Sequence, residues 1–170
     1  WNPGKLNANA MTPTGPTDPQ IQAILFRDAG QYGASIPVTT IYANFSMHPD
    51  TVGGARISAD YPGALSAFLA AYHGPDCLTL YGNGTCGNLN HLDIAWERQQ
   101  SGPGEANRLA ALLAASIFRA EKSERPLHGE KLQVKSTIVP LDIPDVSAEQ
   151  LEMARATVRK KEAGPQPTFM

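Results

Sequence analysis

A histidine stands where an apolar stretch of the chain turns polar. His48 follows the apolar run 36–46 and precedes Asp50 and the pair Gly53-Gly54. Imidazole can bind a metal ion through one ring nitrogen while the other donates a hydrogen bond that fixes the ring. Asp50 or a backbone carbonyl could accept that bond. A hydrogen-bonded structural role also explains a single histidine, so the pattern predicts a polar cleft and leaves the ring's role open.

A second polar segment runs from Gly82 to Asp93 and contains Asn88, Asn90 and His91 behind several glycines. Glycine lets the backbone approach a ligand closely, so N–H groups around Gly87 and Asn88 could point at one substrate oxyanion. A tight loop held by its own hydrogen bonds accounts for the glycines and asparagines almost as well. It accounts poorly for His91 directly after them.

The elements around these segments predict where they lie. Residues 21–26 and a run beginning at Ile36 are typical of two strands joined by a turn. A helix is predicted to open at Asp60 and to end at Gly74-Pro75, and residues 77–81 form a short strand that enters the glycine-rich loop. The order favours a mixed α/β fold, a β-sheet core with flanking helices, in which loops after strands often carry chemistry.

The rest of the chain adds three predicted elements. Apolar residues at helical spacing predict a helix over 104–121. Alternation over 131–141 predicts a half-buried strand near a sheet edge, because Pro140 lacks a ladder donor. Ser147-Ala148-Glu149-Gln150 fits a capping box and predicts a helix to about Glu162.

Composition excludes several classes of protein. The chain has 170 residues, suited to one domain, with 14 basic and 16 acidic side chains and a net charge of −2. No long run of one charge is present, so we expect no nucleic-acid partner. No stretch approaches the roughly 18 apolar residues of a membrane span. The two cysteines, Cys77 and Cys86, are interpreted as two buried thiols, with one disulfide as the alternative.

We expect a single partial domain over 1–170. Prolines and glycines predict an extended arm over 1–19, the core spans 20–141, and 142–170 forms a C-terminal helical segment. The opening at Trp1 and the absence of a helix stop at the other end predict that sequence is missing on both sides. The pattern gives no prediction of oligomeric state.

Three segments together carry a resemblance to a known family. They are His48-Pro49, then Ser58-Ala59-Asp60-Tyr61-Pro62-Gly63, then Gly84-Thr85-Cys86-Gly87-Asn88-Leu89-Asn90-His91. From about Asn7 to about Leu141 the chain resembles the neutral/alkaline non-lysosomal ceramidase N-terminal domain family. The resemblance implies part of a larger catalytic domain, secreted or periplasmic, that hydrolyses an amide bond such as the N-acyl bond of ceramide.

The resemblance also implies residue roles. His48 matches a histidine ligand of a catalytic zinc ion, and the remaining ligands are expected outside this chain. Where the family has Gly-Asp-x-Ser, this chain reads Gly87-Asn88-Leu89-Asn90, so the serine position holds an amide. Zinc-bound hydroxide could attack a carbonyl without serine, with Asn90 orienting the oxyanion and His91 carrying a proton. Asp50 and Asp60 are expected to support the site.

Two alternatives stay open beside this zinc-dependent hydrolase acting on a small-molecule or lipid amide. The first is a ligand-binding domain that kept the cleft and lost the chemistry, which Asn88 and Asn90 would suit because amides bind polar groups without titrating. The second is a structural module of a larger secreted assembly.

Overall fold

The computed structural model describes Leu6 and residues 15–28, 36–127, 133–142 and 145–162. The chain divides into two compact units, Trp1–Arg125 and Pro126–Met170, which are described separately. The elements in chain order are strands β1 Gln22–Arg27 and β2 Val38–Phe45, helix α1 Asp60–His73, strand β3 Leu78–Asn83, and helices α2 Pro103–Glu121 and α3 Ala148–Glu162. The mixed α/β class predicted from the sequence is confirmed. The predicted division at residues 19 and 141 stays a prediction.

The three strands of the first unit form one sheet in the order β1-β2-β3. Strand β1 is antiparallel to β2, whereas β2 and β3 are parallel and pair from Thr40 with Leu78 to Phe45 with Asn83. A parallel pair needs a crossover, and α1 supplies it. The carboxyl ends of β2 and β3 therefore lie side by side at one edge of the sheet.

The two faces of this sheet differ. One face packs with α1 and α2 around Ile41, Leu65, Leu69 and Ile117, which are at most 1% exposed. The other face carries exposed apolar side chains in two neighbouring cross-strand rows: Ile24, Phe26, Tyr42, Leu78 and Leu80. The core thus lies between the sheet and the helix pair, and it fixes the positions of the strand ends.

Helices α1 and α2 follow the sequence prediction closely. Helix α1 ends where Gly74 adopts a φ of 114°, a backbone conformation that favours glycine. Helix α2 has Pro103 in its first turn, where the missing N–H costs little. None of the described helices combines the length and the apolar character that crossing a bilayer requires.

The second unit confirms one prediction and corrects another. The capping box is present, since Gln150 N–H donates to Ser147 Oγ at 3.1 Å and Ser147 N–H donates to Gln150 Oε1 at 2.9 Å. The predicted strand over 131–141 is wrong for its described part, 133–141, which is exposed and forms no strand. A segment with alternating polarity forms a strand only when it pairs with a neighbouring strand, and the described part of this unit contains no strand that could pair with it.

The predicted N-terminal arm lies mostly outside the described residues. Residues 16–19 are exposed and form neither helix nor strand. Leu6 is described, and its N–H donates to Ile94 O at 2.8 Å. Within the first unit, Leu6 is therefore bonded to the segment that follows the glycine-rich loop.

Candidate functional site

The loops that follow β2 and β3 are joined by backbone hydrogen bonds. Gly84 N–H donates to Phe45 O at 2.9 Å, and His48 N–H donates to Leu89 O at 3.4 Å. The approach is so close that a Cβ atom on Gly84 would collide with Ser46 Oγ and lie 3.1 Å from Ser46 Cα. The two segments predicted to carry chemistry therefore meet at one edge of the sheet.

His48 is half-buried at this meeting point, and its ring faces a cysteine. Its Nδ1 lies 3.6 Å from Cys86 Sγ, and Asn83 Nδ2 donates to the same sulfur at 3.1 Å. No described residue forms a hydrogen bond with His48 Nε2. The sequence analysis assigned Cys86 no role in the site and missed this contact. Its position four residues before Asn90, within the glycine-rich loop, was the available signal.

His91 is held at both ring nitrogens. Nδ1 lies 3.0 Å from Asp50 Oδ1, and Nε2 lies 2.8 Å from Gln100 O, while the side chain is only 5% exposed. The partners at both nitrogens are hydrogen-bond acceptors. Asp50 supports His91 through the contact at Nδ1, whereas the sequence analysis considered Asp50 as a partner of His48. Through these two contacts His91 links the loop after β2 to the segment before α2.

Gln100 organises that segment and was not predicted. It is 4% exposed, its Oε1 accepts from Asp93 N–H at 2.8 Å, and its Nε2 donates to Asp93 O at 2.8 Å. Gly102 N–H then donates to Thr51 O at 2.8 Å. A glutamine in a polar run carries no sequence signal for such a role, because the contacts depend on how the chain folds back.

Asp60 holds the loop after β2 from the start of α1. Its Oδ2 accepts from Val52 N–H at 2.7 Å, and its Oδ1 accepts from Tyr61 N–H at 2.7 Å. Asp60 itself has a φ of 51°, which is rare for a residue other than glycine. The carboxylate is thus engaged with the backbone, a position consistent with the predicted supporting role.

Two tyrosines lie beneath the loops and were not predicted as site residues. Tyr61 is fully buried, donates its hydroxyl proton to Met47 O at 2.7 Å and shares a hydrogen bond of 2.8 Å with the Tyr81 hydroxyl. Burial raises the pKa of both hydroxyl groups, and the hydrogen bond with Tyr81 raises that of Tyr61 further. Both side chains are therefore neutral, and their hydrogen bonds hold the end of β2 against α1 and β3.

The predicted oxyanion residues lie on the outside of the same loop. Gly87, Asn88 and Asn90 are exposed. Asn90 Oδ1 accepts the N–H of His91 at 2.7 Å, so its amide nitrogen is the end that can face solvent or a ligand. Leu89, between the two asparagines, is the residue that contacts the His48 backbone.

An open cavity of about 280 Å³ lies between the first turns of α1 and α2. Val52 and Asp60 line it together with Ala64, Ala106 and Asn107. The Asp60 carboxylate already accepts two backbone N–H groups. This cavity is therefore bounded by residues that position the loop after β2.

The zinc ion implied by the resemblance can be tested against the donors present. Among the described residues, no three side chains of His, Cys, Asp or Glu converge as a metal site. His48 is half-buried at a strand end with one unbonded ring nitrogen, which suits a single ligand position. The described residues thus fit part of a zinc site, and its other ligands would come from residues outside them.

Comparison with known proteins adds no relative. No family model, no curated protein and no solved structure matches this chain. The ceramidase-like assignment therefore stays a hypothesis carried by the sequence motifs.

Proposed function

We propose that the chain is part of a zinc-dependent hydrolase that cleaves an amide, such as a ceramide-like N-acyl bond, or a related carbonyl bond. The observation that supports this most directly is the meeting of two distant segments at the strand ends. His48 N–H donates to Leu89 O, so the predicted metal ligand lies against the loop that carries Asn88 and Asn90. Loops at the carboxyl ends of parallel strands are common positions for active sites.

In this proposal His48 holds the ion, which supplies an activated water and polarises the carbonyl. The exposed amide groups of Asn88 and Asn90 orient the substrate oxygen by donating hydrogen bonds, without any change of charge. Both ring nitrogens of His91 are engaged, so the ring must release Asp50 or Gln100 before it can exchange a proton with a substrate. Its first role is therefore to hold the two loops together.

The test uses the natural protein that contains this sequence. Purified protein is assayed for zinc content and for hydrolysis of a panel of N-acyl amides, with and without a chelator. The His48→Ala variant is expected to lose most of its zinc and at least about 100-fold of its activity, since removal of a ligand should exceed the roughly 10–100-fold cost of losing an outer-sphere partner.

His73→Gln is the matched control, because His73 pairs with Glu121 at the opposite end of α1. This variant is expected to keep its zinc content and activity. Hydrolysis that continues at full rate after complete zinc removal, or a His48→Ala variant with normal zinc content, would exclude the proposal.

One observation favours a ligand-binding function as the second candidate. Both ring nitrogens of His91 are engaged, and Asn88 and Asn90 cannot titrate, so these three side chains offer polar contacts without an unoccupied acid or base. A binding protein would take up N-acyl amides without turnover and with equal affinity before and after chelation. Calorimetric titration with the same panel separates this outcome from hydrolysis.

A further inference from the structure

The distance between His48 Nδ1 and Cys86 Sγ is the one expected of two ligands on one metal ion. Zinc binds sulfur at about 2.3 Å and imidazole nitrogen at about 2.0–2.1 Å with tetrahedral angles. These values place the sulfur and nitrogen of two adjacent ligands about 3.6 Å apart. The structure has 3.6 Å between Cys86 Sγ and His48 Nδ1. The spacing is set by the fold itself, since the two side chains come from different loops.

The surroundings of the sulfur suit a thiolate ligand. Asn83 Nδ2 donates a hydrogen bond to Cys86 Sγ at 3.1 Å. Such donors stabilise sulfur that carries negative charge and orient it towards a metal ion. Cys86 is also partly exposed, so an ion can reach it, whereas Cys77 is 7% exposed. The two cysteines are therefore unequal candidates for binding.

The backbone on both sides of the pair is fixed. Gly84 N–H is bonded to Phe45 O, and Leu89 N–H donates to Cys86 O at 3.0 Å, which closes a turn around the cysteine. On the other loop, His48 N–H is bonded to Leu89 O. Both donor side chains thus extend from hydrogen-bonded backbone, and preorganisation of this kind lowers the ordering cost of binding an ion.

We propose that Cys86 is a second metal ligand beside His48, which binds through Nδ1, and that the pair favours a divalent ion that accepts thiolate and imidazole ligands, such as zinc. This inference rests on the proposed zinc site and deepens it, because it adds a sulfur ligand absent from the motif assignment. Binding converts the thiol to a thiolate and releases its proton to solvent. Two ligands leave the remaining tetrahedral positions to other donors and water.

A different reading of the same contact gives an opposite expectation. If Nδ1 only donates a hydrogen bond to the sulfur, the ion must use Nε2, and Cys86 does not touch the metal. The two cases differ in whether a metal–sulfur bond exists. Co²⁺ reports this directly, because thiolate coordination produces a charge-transfer band in the near ultraviolet that nitrogen and oxygen ligands do not produce.

The experiment loads Co²⁺ into the zinc-free natural protein and records its absorption spectrum. We expect the sulfur band in the wild type and in Cys77→Ser, and its loss in Cys86→Ala. We also expect Cys86→Ala to weaken zinc binding by more than the roughly 10–100-fold typical of losing an outer-sphere partner. Circular dichroism checks that each variant is folded.

A measurement on the unaltered protein removes any dependence on variants. Zinc is expected to slow alkylation of Cys86 by iodoacetamide at least about tenfold, as read from peptide masses. Unchanged labelling, or Co²⁺ bound without a sulfur band, would overturn the ligand role of Cys86 and leave zinc at His48 standing. Failure to bind Co²⁺ or zinc at all would overturn both this inference and the zinc-dependent function.

Discussion

Helix α1 has a polar cluster at each of its ends, and the two clusters differ in what they leave open. At the end of the helix, His73 Nε2 lies 3.0 Å from Glu121 Oε1, with the side chains only 7% and 16% exposed. At its start, Asp60 and Tyr61 bond to the backbone of the loop after β2. The half-buried His48 lies in that loop, and its Nε2 has no hydrogen-bond partner among the described residues. The His73–Glu121 pair is already bonded and stabilises the fold, whereas His48 has a ring nitrogen without a described partner and can also bind a ligand.

The largest expected effect is at the start of the helix. Tyr61→Ala removes a fully buried ring together with the hydroxyl that holds Met47, and should cost about 3–5 kcal/mol of unfolding free energy. Tyr72→Ala is the matched control, since that ring is 65% exposed and packs with Phe118, and should cost less than about 1.5 kcal/mol. Urea unfolding compares them, and equal losses would contradict the comparison.

The close approach of the two loops gives the next effect. Gly84→Ala forces a Cβ atom against Ser46 and should cost about 1–3 kcal/mol while weakening metal binding at the strand ends. Gly87→Ala serves as the control, because a Cβ there meets nothing within 4 Å, and should change stability by less than about 0.5 kcal/mol. Chemical unfolding and zinc titration measure both, and a neutral Gly84→Ala would show that the loops separate easily.

Substitutions in the pair at the end of α1 are expected to lower stability without weakening zinc binding. Replacing either partner by glutamine, in His73→Gln or Glu121→Gln, should cost about 1–2 kcal/mol, because each change weakens a largely buried hydrogen bond. The double variant should cost less than the sum of the two single changes. A double-mutant cycle by urea unfolding measures the coupling. Altered zinc content in either variant would break the distinction between the two ends.

The smallest effect is a dependence on pH near the start of α2. Glu105 is 6% exposed, and the hydrogen bond from Arg108 lowers its pKa, against an opposing effect of burial and with further help from nearby positive charge. Because the pKa is lowered in the folded state, this stabilisation is present above about pH 4.3, the usual value, and is lost as pH falls through the folded value.

Glu105→Gln should therefore flatten the decline of stability below about pH 4, by about 1 kcal/mol or less, since Arg108 is 36% exposed. Unfolding curves between pH 3 and 7 measure the difference from the wild type. An identical decline in both proteins would assign the acid sensitivity to other carboxylates.

Local patterns were sufficient for much of the fold. The apolar run beginning at Ile36, the helix opening at Asp60 and the capping box at Ser147 each specify an element through neighbouring residues, and the structure contains all three elements. The strand predicted over 131–141 failed because a strand depends on a partner that alternation does not reveal. Local chemistry predicts helices and caps better than it predicts pairing.

The site was predictable in part. The sequence predicted chemistry separately at His48 and at the glycine-rich loop, and the structure brings these two segments together. The partners within the site were not predictable, because they depend on the direction in which each loop leaves its strand. Asp50 therefore bonds to His91, and the side chain facing His48 is Cys86, which had been interpreted as a thiol without a role in the site.

The separation of these two side chains along the chain has a thermodynamic consequence. His48 and Cys86 are 38 positions apart, and linking two such points in an unfolded chain removes about 4 kcal/mol of chain entropy on a simple cross-link model. In the folded first unit, the β2–α1–β3 crossover already brings these two side chains together. An ion held by both loops would therefore bind the folded chain far better than the unfolded one, so that its concentration sets the apparent stability of the whole unit.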